Sequence, residues 1–261
     1  MFDCHDDLLT YIYQKRNDIE FLKSYCSKIF NPNNITGGIF NLFFMSPDEM
    51  QEELGFSKDE LNPVKQLSCV TELINVHSLI PSKTKSIFGI EGLDYLHSLD
   101  DIDLLYDLGI RSVAIVWNNK NQFGSGNRSS CGLTPLGKLL VTKLVDKRIA
   151  IDLSHANLKT FFDIIKLCNI LKQQGKDPIV FASHSNAKTI YSDSRNLTDE
   201  QIQAIAQLDG VIGVVQIKRF CDYFDIENLN NISDDFSRKI SCTYITYKIA
   251  SWQCSKYCCC H

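Results

Sequence analysis

Three things are scarce in this sequence, and each absence excludes a class of protein. No run of eighteen apolar residues occurs, so no segment reads as a transmembrane helix. Charge of one sign is not in excess: over 261 residues the formal net charge is −4, which leaves no basic face for a nucleic-acid partner. A basic leader is missing too, because Phe2-Asp3-Cys4-His5-Asp6-Asp7 is acidic where a secretory signal carries positive charge, and no apolar stretch follows it. The expected setting is cytoplasmic, with neither membrane nor nucleic acid among the partners. What is present is 44% hydrophobic and 22% charged residues, the composition of a globular protein with a sizeable core.

Cysteine is the exception to scarcity, with eleven residues. Six of them, Cys4, Cys26, Cys69, Cys131, Cys168 and Cys221, are scattered singly and read as buried free thiols. The other five, Cys242, Cys254, Cys258, Cys259 and Cys260, crowd the last twenty residues. The excess therefore belongs to the tail.

Short apolar runs alternate with longer amphipathic stretches. The runs are 1–4, 38–45, 86–90, 112–117, 149–153, 178–182 and 211–217, nearly all continuously apolar, as parallel strands covered on both faces are. Helix punctuation separates them. Thr134-Pro135 opens a helix over 136–145, Asn157 opens one over 158–174 that Gly175 stops, and Thr198-Asp199-Glu200-Gln201 is a capping box whose helix Gly210 closes. Strand, helix, strand at this spacing predicts βα units and a parallel sheet. Seven strands can be counted where a closed (β/α)₈ barrel needs eight. The eighth is expected between 240 and 260, where no recognisable strand stands.

Barrel enzymes place their working groups at the C-terminal ends of strands, and polar residues gather at those ends here. The first strand ends in His5-Asp6-Asp7, where His5 and Asp7, two apart, share a face and can converge on one ion. Further ends are Gly89-Ile90-Glu91-Gly92, Asp152-Leu153-Ser154-His155 and Ser183-His184-Ser185. Three histidines and two carboxylates suit zinc or a similar divalent ion, and five ligands fit two ions bridged by one carboxylate, with Glu91 as the bridge. His77 and His97 end no strand and have no carboxylate two residues away. Arg195 reads either as a solvated loop residue pairing Asp193 or as a fixed guanidinium for a substrate carboxylate. Trp117 and Asn118, closing the fourth strand, are either core and turn chemistry or pocket lining.

These residues resemble the membrane (renal-type) dipeptidases, peptidase family M19. The likeness spans about residues 1 to 236. It rests on Asp3-x-His5-x-Asp7, Gly89-Ile90-Glu91-Gly92, Trp117-Asn118-x-x-Asn121-x-x-Gly124, Gly132-Leu133-Thr134-Pro135-x-Gly137, Asp152-Leu153-Ser154-His155, Ala182-Ser183-His184-Ser185-Asn186-Ala187 and Arg195-Asn196-Leu197-Thr198-Asp199-Glu200-Gln201. The resemblance implies a (β/α)₈ barrel with two zinc ions that hydrolyses dipeptides through a metal-bridging hydroxide. It implies His5 and Asp7 on one ion, His155 and His184 on the other, Glu91 between them, and Arg195, with Trp117 and Asn118 nearby, on the substrate. The partners so implied are a dipeptide and, at most, a second copy of the chain in a homodimer.

The chain departs from the family after Asp234-Asp235-Phe236. A last strand reading roughly Val-Gly-Ile-Gly-Ser-Asp-Phe-Asp-Gly, whose first aspartate protonates the leaving amine, is not found. Instead, 237–261 contains no Asp, Glu, Gly or Pro. Read one base out of register, Arg238 to Tyr244 can become Glu-Lys-Tyr-Leu-Ala-His-Ile, Trp252 with Gln253 gives Gly, and the cysteine codons can give Val or Ala. That composite of helix, glycine and apolar strand points to a frameshift near residue 237. It divides the chain into a dipeptidase-like barrel domain, 1–236, and an aberrant cysteine-rich tail, 237–261. A zinc site from Cys254, Cys258, Cys259, Cys260 and His261 is the competing reading of the tail. Without the eighth strand and the acid, two parallel edges lie open and activity is expected to be poor. The alternatives are a non-catalytic metal- or peptide-binding barrel remnant, or another metal-dependent amide or lactone hydrolase.

Overall fold

The computed structural model describes residues 2–30, 35–215, 217 and 220. Among the described residues each strand is followed by one or two α-helices before the next. The strands are β1 (Phe2–Asp6), β2 (Gly37–Phe43), β3 (Lys85–Glu91), β4 (Ile110–Ala114), β5 (Ala150–Asp152), β6 (Val180–Ala182) and β7 (Val211–Ile212). The helices are α1 (Leu8–Gln14), α2 (Ile19–Phe30), α3 (Pro47–Leu54), α4 (Pro63–His77), α5 (Asp101–Asp107), α6 (Pro135–Asp146), α7 (Leu158–Gln173) and α8 (Asp199–Gln207). All seven strands pair in parallel in the order β1-β2-β3-β4-β5-β6-β7. The sheet is curled. Gly213, just past β7, lies so near β1 that a Cβ placed on it would come within 2.8 Å of the Cys4 Cβ. The architecture is the parallel α/β barrel expected from the sequence, with seven strands among the described residues. The tail 237–261, and with it the frameshift and the competing cysteine zinc site, lies outside them.

Local chemistry explains the elements. β2 is buried from Gly37 to Leu42, as an apolar strand covered on both faces must be, and it pairs with β3 without interruption from Gly37↔Lys85 to Phe43↔Glu91. Thr134, Asn157 and Thr198 each accept a hydrogen bond from the third backbone N–H of the helix they open, as the sequence predicts. Ser46 with Glu49 adds a capping box before α3, and Gly55 ends that helix at φ +73°. Two expectations change in detail. α8 stops at Gln207, and the left-handed residue after it is Asp209, at φ +58°. Gly210 serves close packing instead, since a Cβ there would lie 2.4 Å from the Val180 carbonyl oxygen. β4 ends at Ala114 and not at Trp117, because the chain past Ile115 turns into the loop that carries Trp117 and Asn118.

The core fills the space between sheet and helices, with Phe40, Phe44, Phe123 and Phe161 among its largest fully buried side chains. Cys26 and Cys168 belong to it, and burial pushes their thiols up to about 11 and about 12. Cys4 and Cys69 are half-buried and Cys131 is exposed, so the expectation of uniformly buried thiols holds only in part. Cys221 lies outside the described residues.

One charge sits at a cost in this frame. Burial pushes the Asp94 carboxyl, just past β3, up to about 6, against a weak contact from Asn121. Its folded pKa exceeds the unfolded value of 3.8. The folded state therefore binds the proton more tightly, and stability from this group falls as pH rises from about 4 to about 6. A carboxyl moved that far costs at most ~3 kcal/mol at neutral pH, which partial exposure reduces to about 1–2 kcal/mol. Asp94→Asn is expected to raise the melting temperature at pH 7.5 and to flatten its dependence between pH 4 and 6. A lower melting temperature at pH 7.5 would show that the carboxylate is stabilising.

Candidate metal centre

The C-terminal ends of β1, β3, β5 and β6 deliver five side chains to one place. Glu91, the last residue of β3, is buried, and its two oxygens face different partners. Oε2 lies 3.3 Å from His5 Nε2, which is itself 3.5 Å from Asp7 Oδ1. Oε1 lies 2.8 Å from His155 Nε2 and 3.6 Å from His184 Nε2. Ligand atoms of His5, Asp7 and Glu91 all fall within 4.8 Å of one another, and so do those of Glu91, His155 and His184. Two three-residue sets thus share one carboxylate.

Glycine makes this possible beside β3. Gly92 adopts φ +88°, and a Cβ there would stand 2.6 Å from the Phe44 carbonyl oxygen, so the chain turns sharply after Glu91 where only glycine fits. Asp7 reaches the site differently from the expectation. β1 ends at Asp6 with a register shift between Asp3 and Asp6, and Asp7 is the residue that opens α1. The turn into the helix, not strand alternation, brings it beside His5.

Burial and the facing charges set the electrostatics of the cluster. Burial alone would raise Glu91, but the facing rings of His5 and His155 outweigh it and hold the carboxyl well below its ordinary range. Burial opposes charge on His5 as well, yet Glu91 and Asp7 hold its imidazolium well above the usual histidine value. His184 is pushed well below that value by burial, by the neighbouring His5 and His155 rings and by Arg195, while His155 is lowered mainly by burial.

The residues fit a divalent ion on chemical grounds. His155 Nδ1 lies 3.0 Å from the Asn118 carbonyl oxygen Oδ1, an acceptor that calls for a proton on Nδ1 and leaves the Nε2 lone pair bare. His184 Nδ1 lies 2.6 Å from Ser183 Oγ. The two Nε2 atoms then approach to 2.8 Å, and Glu91 Oε1, which makes no hydrogen bond of its own, closes on the same point. Three lone-pair atoms converging in a buried place call for a positive charge between them.

Arg195 is neither solvated nor paired through its guanidinium with Asp193. It is 4% exposed, and Asp193 accepts from its backbone N–H at 2.7 Å. The guanidinium donates through Nη1 to the Ser154 carbonyl oxygen and through Nη2 to His184 Nε2 at 2.8 Å. Trp117 stands with its ring centre 5.8 Å from that of His155, and Asn118 lies against His155 Nδ1, so the loop after β4 borders the histidine cluster. His97 is exposed, and neither it nor His77 belongs to the ligand groups among the described residues.

Three contributors escaped the sequence reading. Asn41 is buried, with its amide nitrogen 3.2 Å from His5 Nδ1. The signal was one asparagine inside an otherwise apolar run. Gly89 leaves its space, since a Cβ there would come within 2.1 Å of Asn41 Oδ1. Ser183 and Asp152 were visible only as neighbours of the histidines.

Fold and site together define a class: parallel α/β barrel-type proteins with a His/Asp/Glu cluster gathered around one carboxylate at the strand ends. The chain belongs to the membrane dipeptidase family, peptidase family M19, whose model matches residues 55–243. That match begins after His5 and Asp7 and runs past Phe236. Among curated proteins, an uncharacterized protein of the PQQ-III 3' region of Acinetobacter calcoaceticus is 35% identical over 141 residues, covering 51% of this chain and 42% of the relative. Dipeptidase aclJ of Aspergillus oryzae is 23% identical over 247 residues, 89% of this chain and 56% of that protein. The chain thus spans about half the length of these curated relatives. Of solved structures, the dipeptidase AC of family M19 superposes with a TM-score of 0.63 at 23% identity, covering 84% of this chain and 72% of that one. A metallopeptidase from Rhodobacter sphaeroides, liganded with a phosphinate mimic of L-Ala-D-Ala, gives 0.62 at 22% identity, covering 84% and 74%. At these identities the superpositions speak for the fold. No described helix is long and apolar enough to cross a membrane.

Proposed function

We propose that this chain forms the ion- and substrate-binding centre of a dinuclear zinc dipeptidase. The observation that carries the reading is the division of Glu91, with one oxygen turned to His5 and Asp7 and the other to His155 and His184. In the proposed assignment these five residues hold two ions, and Glu91 bridges them. Bound zinc would polarise the scissile carbonyl and acidify a shared water.

The remaining work falls to the chain. Asn118 fixes the His155 ring through Nδ1. Trp117, stacked edge-on against Phe43 with ring centres 5.1 Å apart, walls the site. Arg195 receives the free carboxylate of the substrate, which favours dipeptides because only they place that carboxylate close to the scissile bond. The proton for the leaving amine is the missing contribution. No Gly-Ser-Asp-Phe-Asp stretch stands in the sequence, and loss of a general acid typically lowers rate by ~10²–10⁴-fold.

Zinc content per chain and hydrolysis of a dipeptide panel test the reading. Two ions per chain and slow, chelator-sensitive dipeptide cleavage are the expected results. Two ions with dipeptide binding and no turnover would favour the non-catalytic barrel remnant. Cleavage of other amides or lactones alone would replace the dipeptidase assignment.

A further inference from the structure

Beneath the five ligands lies a second set of buried groups. Ser183, 2% exposed, places its Oγ 2.6 Å from His184 Nδ1 and 3.1 Å from His5 Nδ1. The same hydroxyl donates to Asp152 Oδ2. The other oxygen of Asp152 accepts from Ser154 N–H at 3.0 Å, Ser154 Oγ at 2.7 Å and Ser183 N–H at 3.0 Å. Asp152 itself lies close enough to His5 and His184 to be grouped with them as a ligand. Four donors already engage its two oxygens, however, which makes it a support rather than a free ligand.

Proton counting fixes the roles. A serine hydroxyl has one proton and two lone pairs, and a carboxylate only accepts. The single Ser183 proton therefore goes to Asp152. Both lone pairs remain, one for the N–H of His5 Nδ1 and one for that of His184 Nδ1, because Ser154 Oγ, 3.2 Å from Ser183 Oγ, gives its own proton to Asp152 Oδ1. Each ring then carries a proton on Nδ1, which leaves Nε2 as the atom through which it would hold an ion. Asn41 also meets His5 Nδ1, at 3.2 Å. A half-turn of its amide, which exchanges oxygen and nitrogen, lets it accept from the same N–H.

We propose that Ser183, held by Asp152, is a positioning residue shared by the two ion sites: one hydroxyl sets the tautomer of a histidine in each, so the sites weaken together when it is lost. This rests on the dinuclear reading above. His155 provides the contrast, because its Nδ1 is set by Asn118 and touches only one of the two sets.

Titration of the metal-stripped chain with Zn²⁺ against a chromophoric chelator reads both affinities, and the Co²⁺ absorption spectrum reads the coordination geometry. Ser183→Ala is expected to weaken both sites by about 10–100-fold, the usual effect of removing a partner behind a metal ligand. Asn118→Ala is expected to weaken one. Ser183→Thr, which keeps the hydroxyl, should recover both affinities and the Co²⁺ spectrum, which a merely structural serine would not require. Weakening of one site alone by Ser183→Ala, or a threonine variant no better than alanine, overturns the shared anchor. Two sites indifferent to Ser183 overturn it as well while leaving the dinuclear reading standing. A wild-type chain that takes up no Zn²⁺ overturns both.

Discussion

Glu91→Gln is expected to abolish paired ion binding. The amide keeps the shape of the side chain but removes the charge that the His5/Asp7 and His155/His184 sets share, and its NH₂ turns a donor toward one of them. A protein zinc site of ~10–16 kcal/mol spread over about four ligands is worth ~3 kcal/mol per ligand. Loss of the bridge should therefore cost each position on the order of 10²-fold in affinity or more. Zinc content after equilibrium dialysis is the direct readout, with a fall from two ions per chain to one or none. His5 supplies a second readout. Its high pKa depends on Glu91 first and on Asp7 second, against burial. In the glutamine variant of the ion-free chain it should therefore titrate nearer the ordinary value, which NMR of the imidazole can follow. Retention of two tightly bound ions would remove Glu91 from the bridging role.

Arg195→Met should separate the binding of substrate from the binding of ions. The guanidinium occupies a buried place, donating to the Ser154 carbonyl and to His184 Nε2, and that nitrogen is the one proposed to hold an ion. Arginine and ion compete for a single lone pair, so an ion bound at His184 would displace the contact from Nη2. Removing one partner of a buried charge pair costs ~2–5 kcal/mol. Dipeptide binding is expected to weaken on the order of 10²-fold, with zinc affinity unchanged or slightly improved. Inhibition by dipeptides and zinc titration, measured on the same variant, check the two halves. Equal loss of zinc and dipeptide would mean that Arg195 supports the site structurally and does not receive the carboxylate.

Much of the frame was legible because the signals are local. Continuous apolar runs marked all seven strands, and Thr134, Asn157 and Thr198 marked the starts of three helices, since a capping side chain acts within one turn of the backbone it serves. The ends of strands were harder. β4 and β7 are shorter than their apolar runs because a strand stops where its neighbour no longer pairs, a property of two segments and not of one. The five proposed ligands stand out in the sequence for a different reason: each follows an apolar run at the end where barrel sites form. Asn41 was not, for it sits in the middle of such a run and acquires meaning only when β1 places His5 beside it. Ser183 is similar. Nothing in Ser183-His184 shows that its hydroxyl also meets a ring 178 residues away.

That last separation has a consequence for how the protein is made. Ser183 leaves the ribosome 178 residues after its companion His5, an interval of roughly 10–40 s at common synthesis rates. During it β1 can pair only on the side of β2, and His5 and Asp7 have their own strand, α1, Asn41 and Glu91 beside them. The proposed ion site is thus a late product of assembly, closed by long-range contacts, the kind that form slowly. A divalent ion arriving then would act as a clasp between the two ends of the sheet.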